Sequence, residues 1–130
     1  MAYGDMRDKM LELDLSDAKK RPWEPDRLWV ASVGRYATPH EALAIETFCV
    51  DESGLIETYD NVTVNLDGHP DTGFVPDDPQ ITWVRDRARP VLDKLIELGI
   101  AEIVGSVAYG LGPDTAWVVR IDETKLPSIA

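Results

Sequence analysis

The segment LIETYDNVTVNL, residues 55–66, carries the clearest β-strand pattern in the sequence. In its second half, Val62, Val64 and Leu66 alternate with the polar residues at 61, 63 and 65. A period of two predicts a strand with one face toward a core and the other toward solvent. The turn-forming DESG precedes this segment, and residues 28–37 and 42–50 upstream are rich in β-forming residues. These segments predict an antiparallel meander of three strands.

Downstream, the segment DRARPVLDKLIELG, residues 86–99, predicts a helix. Asp86 is suited to cap its start, Pro90 is tolerated in a first turn, and Gly99 is suited to end it. The residues predicted to face the core are Val91, Leu92, Leu95, Ile96 and Leu98. Extended patterns at 81–85, 102–110 and 115–122 surround the helix. The sequence therefore predicts an α+β fold, with an antiparallel β-sheet of five to six strands covered by one main helix.

The first 27 residues differ from the rest of the chain. Residues 5–19 predict a short N-terminal helix, because Met6, Met10 and Leu13 follow a helical spacing. The segment KKRPWEPDR, residues 19–27, has a basic run and two prolines and predicts a linker. We expect residues 1–27 to form this helix and Pro-containing linker and 28–130 to form a single α+β domain, since 130 residues suit one core.

The apolar segments are short and dispersed. The longest runs, such as LWVASV, are far too short to span a bilayer, and the acidic N-terminus lacks the features of a secretory signal. A cytoplasmic protein is predicted. The single Cys49 has no partner for an internal disulfide and is predicted to be a buried, inert thiol.

Charge is distributed unevenly along the chain, whose net charge is −11. From Tyr36 to Val84 there are ten acidic residues and no lysine or arginine, whereas the remainder has fourteen acidic and thirteen basic residues. Such a window repels nucleic acids and anionic membranes. We expect no direct nucleic-acid binding and no membrane association.

The acidic window predicts a non-enzymatic interaction protein whose partner is the basic groove of a host protein or nucleoprotein complex. Proteins that grip DNA present lysine and arginine to its phosphates, and a dense array of carboxylates can occupy the same groove. The predicted contacts are Glu46, Asp51, Glu52, Glu57, Asp60, Asp67, Asp71, Asp77 and Asp78. For each of them the alternative is a solvated carboxylate that has no partner.

The loop DGHPDTGFVPDDPQ, residues 67–80, suggests a second hypothesis, a small metal-binding or ligand-binding protein or enzyme that uses residues 67–78 and His69. Its HPD tripeptide is that of J-domain co-chaperones, but there it joins two helices, and here a strand precedes it. A calcium loop places Asp67, Asp71 and Asp78 at its first, fifth and twelfth positions, but Thr72 replaces the sixth-position glycine. No catalytic residue, metal site or cofactor is predicted.

Other candidate motifs are weaker. His40 or His69 can be combined with Cys49 or a serine, but no nucleophile elbow surrounds any of them. GSVAYGLG, residues 105–112, lacks the lysine of a phosphate-binding loop. The tryptophans are predicted core anchors, except Trp23, which lies between prolines and is a candidate partner contact.

From Leu28 to about Leu126, the order of motifs resembles a family of small proteins with a domain of unknown function, carried by conjugative and other mobile elements of gut bacteria. The likeness lies in LWVASVGRYA, NVTVNLDGHP, RPVLDKLIELGIAE and the final VVRIDETKL. The resemblance implies a fold and a mobile-element context but no activity. With the acidic window, it suggests a nucleic-acid-mimicking inhibitor of a host defence or DNA-handling complex, of the anti-CRISPR or antirestriction type. A structural accessory protein of a conjugative element is a further alternative.

Overall fold

The computed structural model describes residues 4–37, 41–66, 78–108 and 115–130, with side chains from residue 7 onward. A 3-10 helix, Gly4–Lys9, leads into β1 (Leu11–Asp14), β2 (Arg27–Arg35), β3 (Leu43–Val50) and β4 (Ile56–Asn61). β5 (Ile81–Arg85) is followed by a 3-10 turn, Asp86–Ala88, the helix α1 (Arg89–Glu97), β6 (Ala101–Ala108) and β7 (Thr115–Ile121).

The strands form two antiparallel sheets instead of the predicted one. The first sheet has the order β1-β2-β3-β4 and the second has the order β5-β7-β6. The α+β class is confirmed, with seven strands in the described part of the chain. The prediction of one sheet was wrong because β5 pairs along its length with β7, far along the chain, and within the described residues pairs with the meander only at the isolated bridge between Thr63 and Val84. Strand patterns show where strands lie but not which strands pair.

The N-terminal segment departs from the predicted helix over 5–19. Only Gly4–Lys9 is helical, and β1 pairs with β2 so that Leu13 lies opposite Leu28. Leu13 and Leu15 are buried, whereas the acidic residues at 12 and 14 are exposed. This period of two is that of a strand, and it outweighs the helical spacing of the methionines. β1 thus precedes the predicted boundary at residue 28 and pairs with a strand beyond it.

The helix α1 was predicted within a few residues, but two details were wrong. Asp86 does not cap it: its Oδ1 atom accepts a hydrogen bond of 3.0 Å from the Trp117 indole N–H. Ile96 and Leu98 are 37% and 52% exposed, because the helix ends at Glu97 and only one narrow stripe faces the core. Gly99 does end the helix, with a φ of 73°.

The main core lies where the inner faces of both sheets meet α1. It combines Val30 and Ile45 of the first sheet with Val119 of the second and Leu92 of the helix. A smaller cluster around Phe48 covers the outer face of the first sheet. No helix in the described ranges is long and apolar enough to cross a membrane.

Residues 62–64 join the two sheets. The Val62 N–H donates to the Ile45 carbonyl, at 3.0 Å, whereas the Val64 N–H donates to the Trp83 carbonyl of β5, also at 3.0 Å. Between them Thr63 forms an isolated bridge with Val84. Thr63 was predicted to face solvent but is 1% exposed, because it lies between two sheets and has no solvent face.

Candidate functional site

Six of the nine predicted contact residues lie in the described part of the chain. Asp67, Asp71 and Asp77 lie outside it, as do His40, His69, the HPD tripeptide and most of the predicted calcium loop. The six described residues occupy four separate places. These are the 51–57 hairpin end, the outer face of the first sheet (Glu46), its inner face (Asp60), and the start of the second sheet (Asp78).

Asp51 builds the turn between β3 and β4. Its Oδ1 atom accepts hydrogen bonds from the Ser53 N–H (2.9 Å), the Ser53 hydroxyl (2.6 Å) and the Leu55 N–H (2.9 Å). The Ser53 hydroxyl, followed by the backbone N–H groups, lowers the pKa of the Asp51 carboxyl group. Asp51 is therefore a negatively charged turn residue held by hydrogen bonds.

Glu52 lies within this turn and Glu57 follows it in β4, and both are exposed. Neither carboxylate forms an ion pair or hydrogen bond with the described residues. Glu57 lies opposite Cys49 in the β3–β4 ladder, and burial, followed by the Glu57 and Asp51 charges, raises the pKa of the Cys49 thiol. A raised pKa disfavours the reactive thiolate. We define these three carboxylates, Asp51, Glu52 and Glu57, as the acidic tip.

Arginines from the C-terminal half reach two other predicted contacts. Arg87 donates two hydrogen bonds to the Asp60 carboxylate, at 3.0 Å and 2.8 Å. Arg120 pairs with Asp78 at 3.0 Å and with Glu102 at 3.3 Å. Asp60 and Asp78 are therefore compensated by cations, and their carboxylates are less available to a partner than those of the acidic tip.

Glu46 lies on the opposite face of the first sheet. It is opposite Ala31, a member of the outer cluster, whereas the neighbouring Thr47 lies opposite Asp60. Successive residues of a strand point to opposite faces, so Glu46 and Asp60 are separated by the sheet. The described acidic residues thus do not form one continuous patch.

A groove of about 360 Å³ opens beside β4, on the face that carries Asp60. Its floor consists of buried apolar side chains that follow β1 or belong to β2, the sheet junction, the 3-10 turn and the start of α1. These are Leu15, Leu28, Val62, Ala88 and Val91. Its rim is polar and aromatic and includes Trp23, Glu24, Tyr59, Asp60 and Arg87. An apolar floor with a few polar groups at the rim is typical of binding sites.

The segment predicted to be a linker forms one wall of this groove. Lys20 pairs with Asp26 at 2.6 Å, and the Arg21 N–H donates to a Glu24 carboxylate oxygen at 2.9 Å. The Arg21 guanidinium lies 5.6 Å from the Trp23 ring centroid, within range of a cation–π contact. Trp23 is 74% exposed. Its position at the groove accords with a contact role, which stays a prediction.

Tyr59 is a groove residue that the sequence pattern did not single out. In the ladder Phe48 pairs with Thr58 and Thr47 pairs with Asp60, so Tyr59 is the extra residue of a β-bulge. Burial, followed by the charges of Glu24 and Asp60, raises the pKa of the Tyr59 hydroxyl. A bulge depends on strand register and cannot be recognised from the alternation of apolar and polar residues. The sequence signal that could have identified Tyr59 is an aromatic residue inside an acidic strand.

The described residues offer carboxylates, aromatic rings and an apolar floor at this site. They contain no group of three His, Cys, Asp or Glu side chains able to hold a metal ion. Such a surface can form charge-assisted hydrogen bonds with lysine and arginine and can bury an apolar side chain.

Comparisons with family models, with curated proteins and with solved structures found no match. The resemblance to proteins of conjugative and mobile elements therefore stays a prediction.

Proposed function

We propose that the protein is a non-enzymatic interaction module that binds a basic surface of a host protein or nucleoprotein complex. The observation that carries this proposal is the acidic tip at the end of the β3–β4 hairpin. Two of its carboxylates, Glu52 and Glu57, are exposed and have no cationic partner among the described residues.

Carboxylates without cations favour a basic partner for two reasons. The net charge of −11 steers basic surfaces toward the protein and accelerates association at low salt. On contact, each carboxylate can accept hydrogen bonds from arginine or lysine, which are stronger than neutral ones. A carboxylate that already pairs with a cation gains less from a new ionic contact. We therefore expect the acidic tip to contribute more to binding than Asp60 or Asp78.

A nucleic-acid-mimicking inhibitor is the specific form of this proposal. Its targets are proteins with lysine- and arginine-lined grooves, such as restriction nucleases and CRISPR effector complexes. The acidic tip supports this form, because its exposed carboxylates Glu52 and Glu57 have no cationic partner among the described residues, together with the motif resemblance to mobile-element proteins.

The test is displacement of duplex DNA from a panel of purified restriction nucleases and CRISPR effector complexes. We expect displacement by the wild-type protein to weaken as salt rises from low to moderate concentration, because the contacts are ionic. The double variant Glu52→Gln/Glu57→Gln should displace less DNA. Glu12→Gln/Glu97→Gln also removes two charges, from exposed positions that are not predicted contacts, and is the matched control. The proposal would be overturned if the protein displaced DNA from none of the panel members, or if displacement did not change with salt concentration.

A further inference from the structure

We infer that the partner adds an extended strand to the open edge of β4 and inserts one apolar side chain of that strand into the groove. This inference rests on the proposed function and specifies how the partner is held. Its two supports are the backbone of β4 and the position of the groove.

The backbone of β4 has hydrogen-bonding groups that point away from β3. β4 is the last strand in the order β1-β2-β3-β4. The Asp51 N–H donates to the Leu55 carbonyl at 2.8 Å, so the backbone carbonyl of Leu55 points toward the β3 side of the hairpin. In an antiparallel ladder the inward groups alternate along the strand, which directs the N–H and C=O groups of Ile56 and Thr58 to the open edge. None of the other described strands pairs there. Such an edge is a template for an added strand.

The charge of this edge determines the kind of strand that fits. A second copy of the chain would place one acidic tip near another, and like charges on paired strands are destabilising. A strand with lysine or arginine brings opposite charges to Glu52 and Glu57. We therefore commit to a basic extended segment of a partner protein.

The groove adds side-chain specificity. Glu57 lies opposite Cys49 and Asp60 lies opposite Thr47, and both of these β3 residues point toward the main core, so Glu57 and Asp60 share the groove face. An incoming strand that faces a basic side chain toward Glu57 directs a residue two positions along toward Tyr59 and the apolar floor. The expected motif is a basic residue, any residue, then an apolar residue, with a spacing of roughly 7 Å between the two side chains.

A blocked nonapeptide, TKTKTLTKT, tests the pairing, because its lysines and its leucine share one face when extended. Binding to the full-length protein is followed by NMR of the amides of Ile56 and Thr58. Two control peptides carry methyl groups on alternate backbone nitrogens, one on the odd-numbered residues and the other on the even-numbered residues. Each keeps the charge of the parent peptide but loses one of its two sets of backbone hydrogen-bond donors. We expect the weaker of these controls to bind about tenfold less tightly than the parent, as the loss of two hydrogen bonds predicts. Replacing leucine by threonine should also weaken binding, and Trp23→Ala in the protein should diminish that leucine effect.

Two outcomes separate this inference from the proposed function. Equal binding of the parent and both methylated peptides, with Thr58→Pro without effect, would overturn strand addition while leaving a charge-driven contact intact. The Thr58 N–H points away from β3, so proline there spares the native ladder. If Glu52→Gln/Glu57→Gln binds the parent peptide as well as wild type, the proposed function fails. Absence of any peptide binding overturns strand addition.

Discussion

The hydroxyl of Thr63 connects the two sheets, and its removal is the most direct test of the fold. Its Oγ1 atom accepts a hydrogen bond of 3.1 Å from the Ile45 N–H of β3 and lies 2.9 Å from the Tyr36 hydroxyl. The neighbouring backbone pairs with β5 through Val84. Thr63→Val keeps the shape of the side chain and leaves the Ile45 N–H without its partner in a buried position.

The expected cost follows from that orphaned donor. A buried donor without a partner costs about 1–3 kcal/mol, and we take about 2 kcal/mol as the loss in the free energy of unfolding. The unfolding entropy is about 2.1 cal/mol/K per residue, so 130 residues give about 0.27 kcal/mol/K. The corresponding fall in Tm is about 7 °C.

Urea unfolding followed by tryptophan fluorescence measures this loss, since Trp83 is fully buried. Thr58→Val is the matched control, because Thr58 is an exposed β4 residue outside the sheet junction, and we expect it to change stability by less than about 0.5 kcal/mol. Equal stability of Thr63→Val and wild type would show that the hydroxyl does not fasten the junction, and the hydrogen-bond reasoning would be refuted.

Three further predictions concern the helix end, the acidic turn and the groove. Gly99→Ala should destabilise the protein by about 1–2 kcal/mol in thermal unfolding, because the residue has a φ of 73°, and unchanged stability would contradict this. Asp51→Ala should lower stability at pH 7. The pKa of Asp51 in the folded protein lies below its ordinary value of 3.8, so this stabilisation is present above pH 3.8 and is lost as pH falls through the folded pKa. Urea titrations should therefore show the free energies of unfolding of wild type and variant converging at acidic pH. A difference between them that stays constant down to pH 2 would argue against this prediction. Arg87→Ala should change stability by less than about 1 kcal/mol, since the pair is exposed, yet should tighten binding of a basic partner by freeing Asp60; weaker binding in calorimetry would count against the groove as part of the contact.

Local patterns predicted most strands within two residues. The runs that became β2, β3, β5 and β7 are dense in β-branched and apolar residues, and an aspartate adjoins at least one end of each strand. The helix likewise showed its proline and glycine boundaries. The failures share one cause, which is long-range pairing. β1 is only four residues long, and its pairing with β2 decides its structure. The division into two sheets depends on β5 choosing β7, and no local pattern encodes that choice.

The sequence could predict the position of a site residue only where that position depends on its immediate neighbours in the chain. Asp51 precedes a turn-forming SG dipeptide, so its place at a turn follows from sequence. Tyr59 reaches the groove through a bulge, and Arg87 reaches Asp60 across 27 residues of chain. Both depend on register and on packing between elements, which a charge count along the sequence does not contain.

The distribution of charge along the chain differs from its distribution in the folded protein, and the difference reduces the number of acidic residues that have no cationic partner. The window from Tyr36 to Val84 has no lysine or arginine, yet Arg87 and Arg120, from outside it, compensate Asp60 and Asp78. These two acidic residues lie near the second sheet and α1, where the basic residues of the C-terminal half are located. The acidic tip lies at the far end of the β3–β4 hairpin, and no basic side chain of the described residues pairs with it. Three predicted contacts that have no cationic partner among the described residues, Asp51, Glu52 and Glu57, therefore lie together on one hairpin beside a strand edge and the groove, which makes this hairpin the region to mutate first.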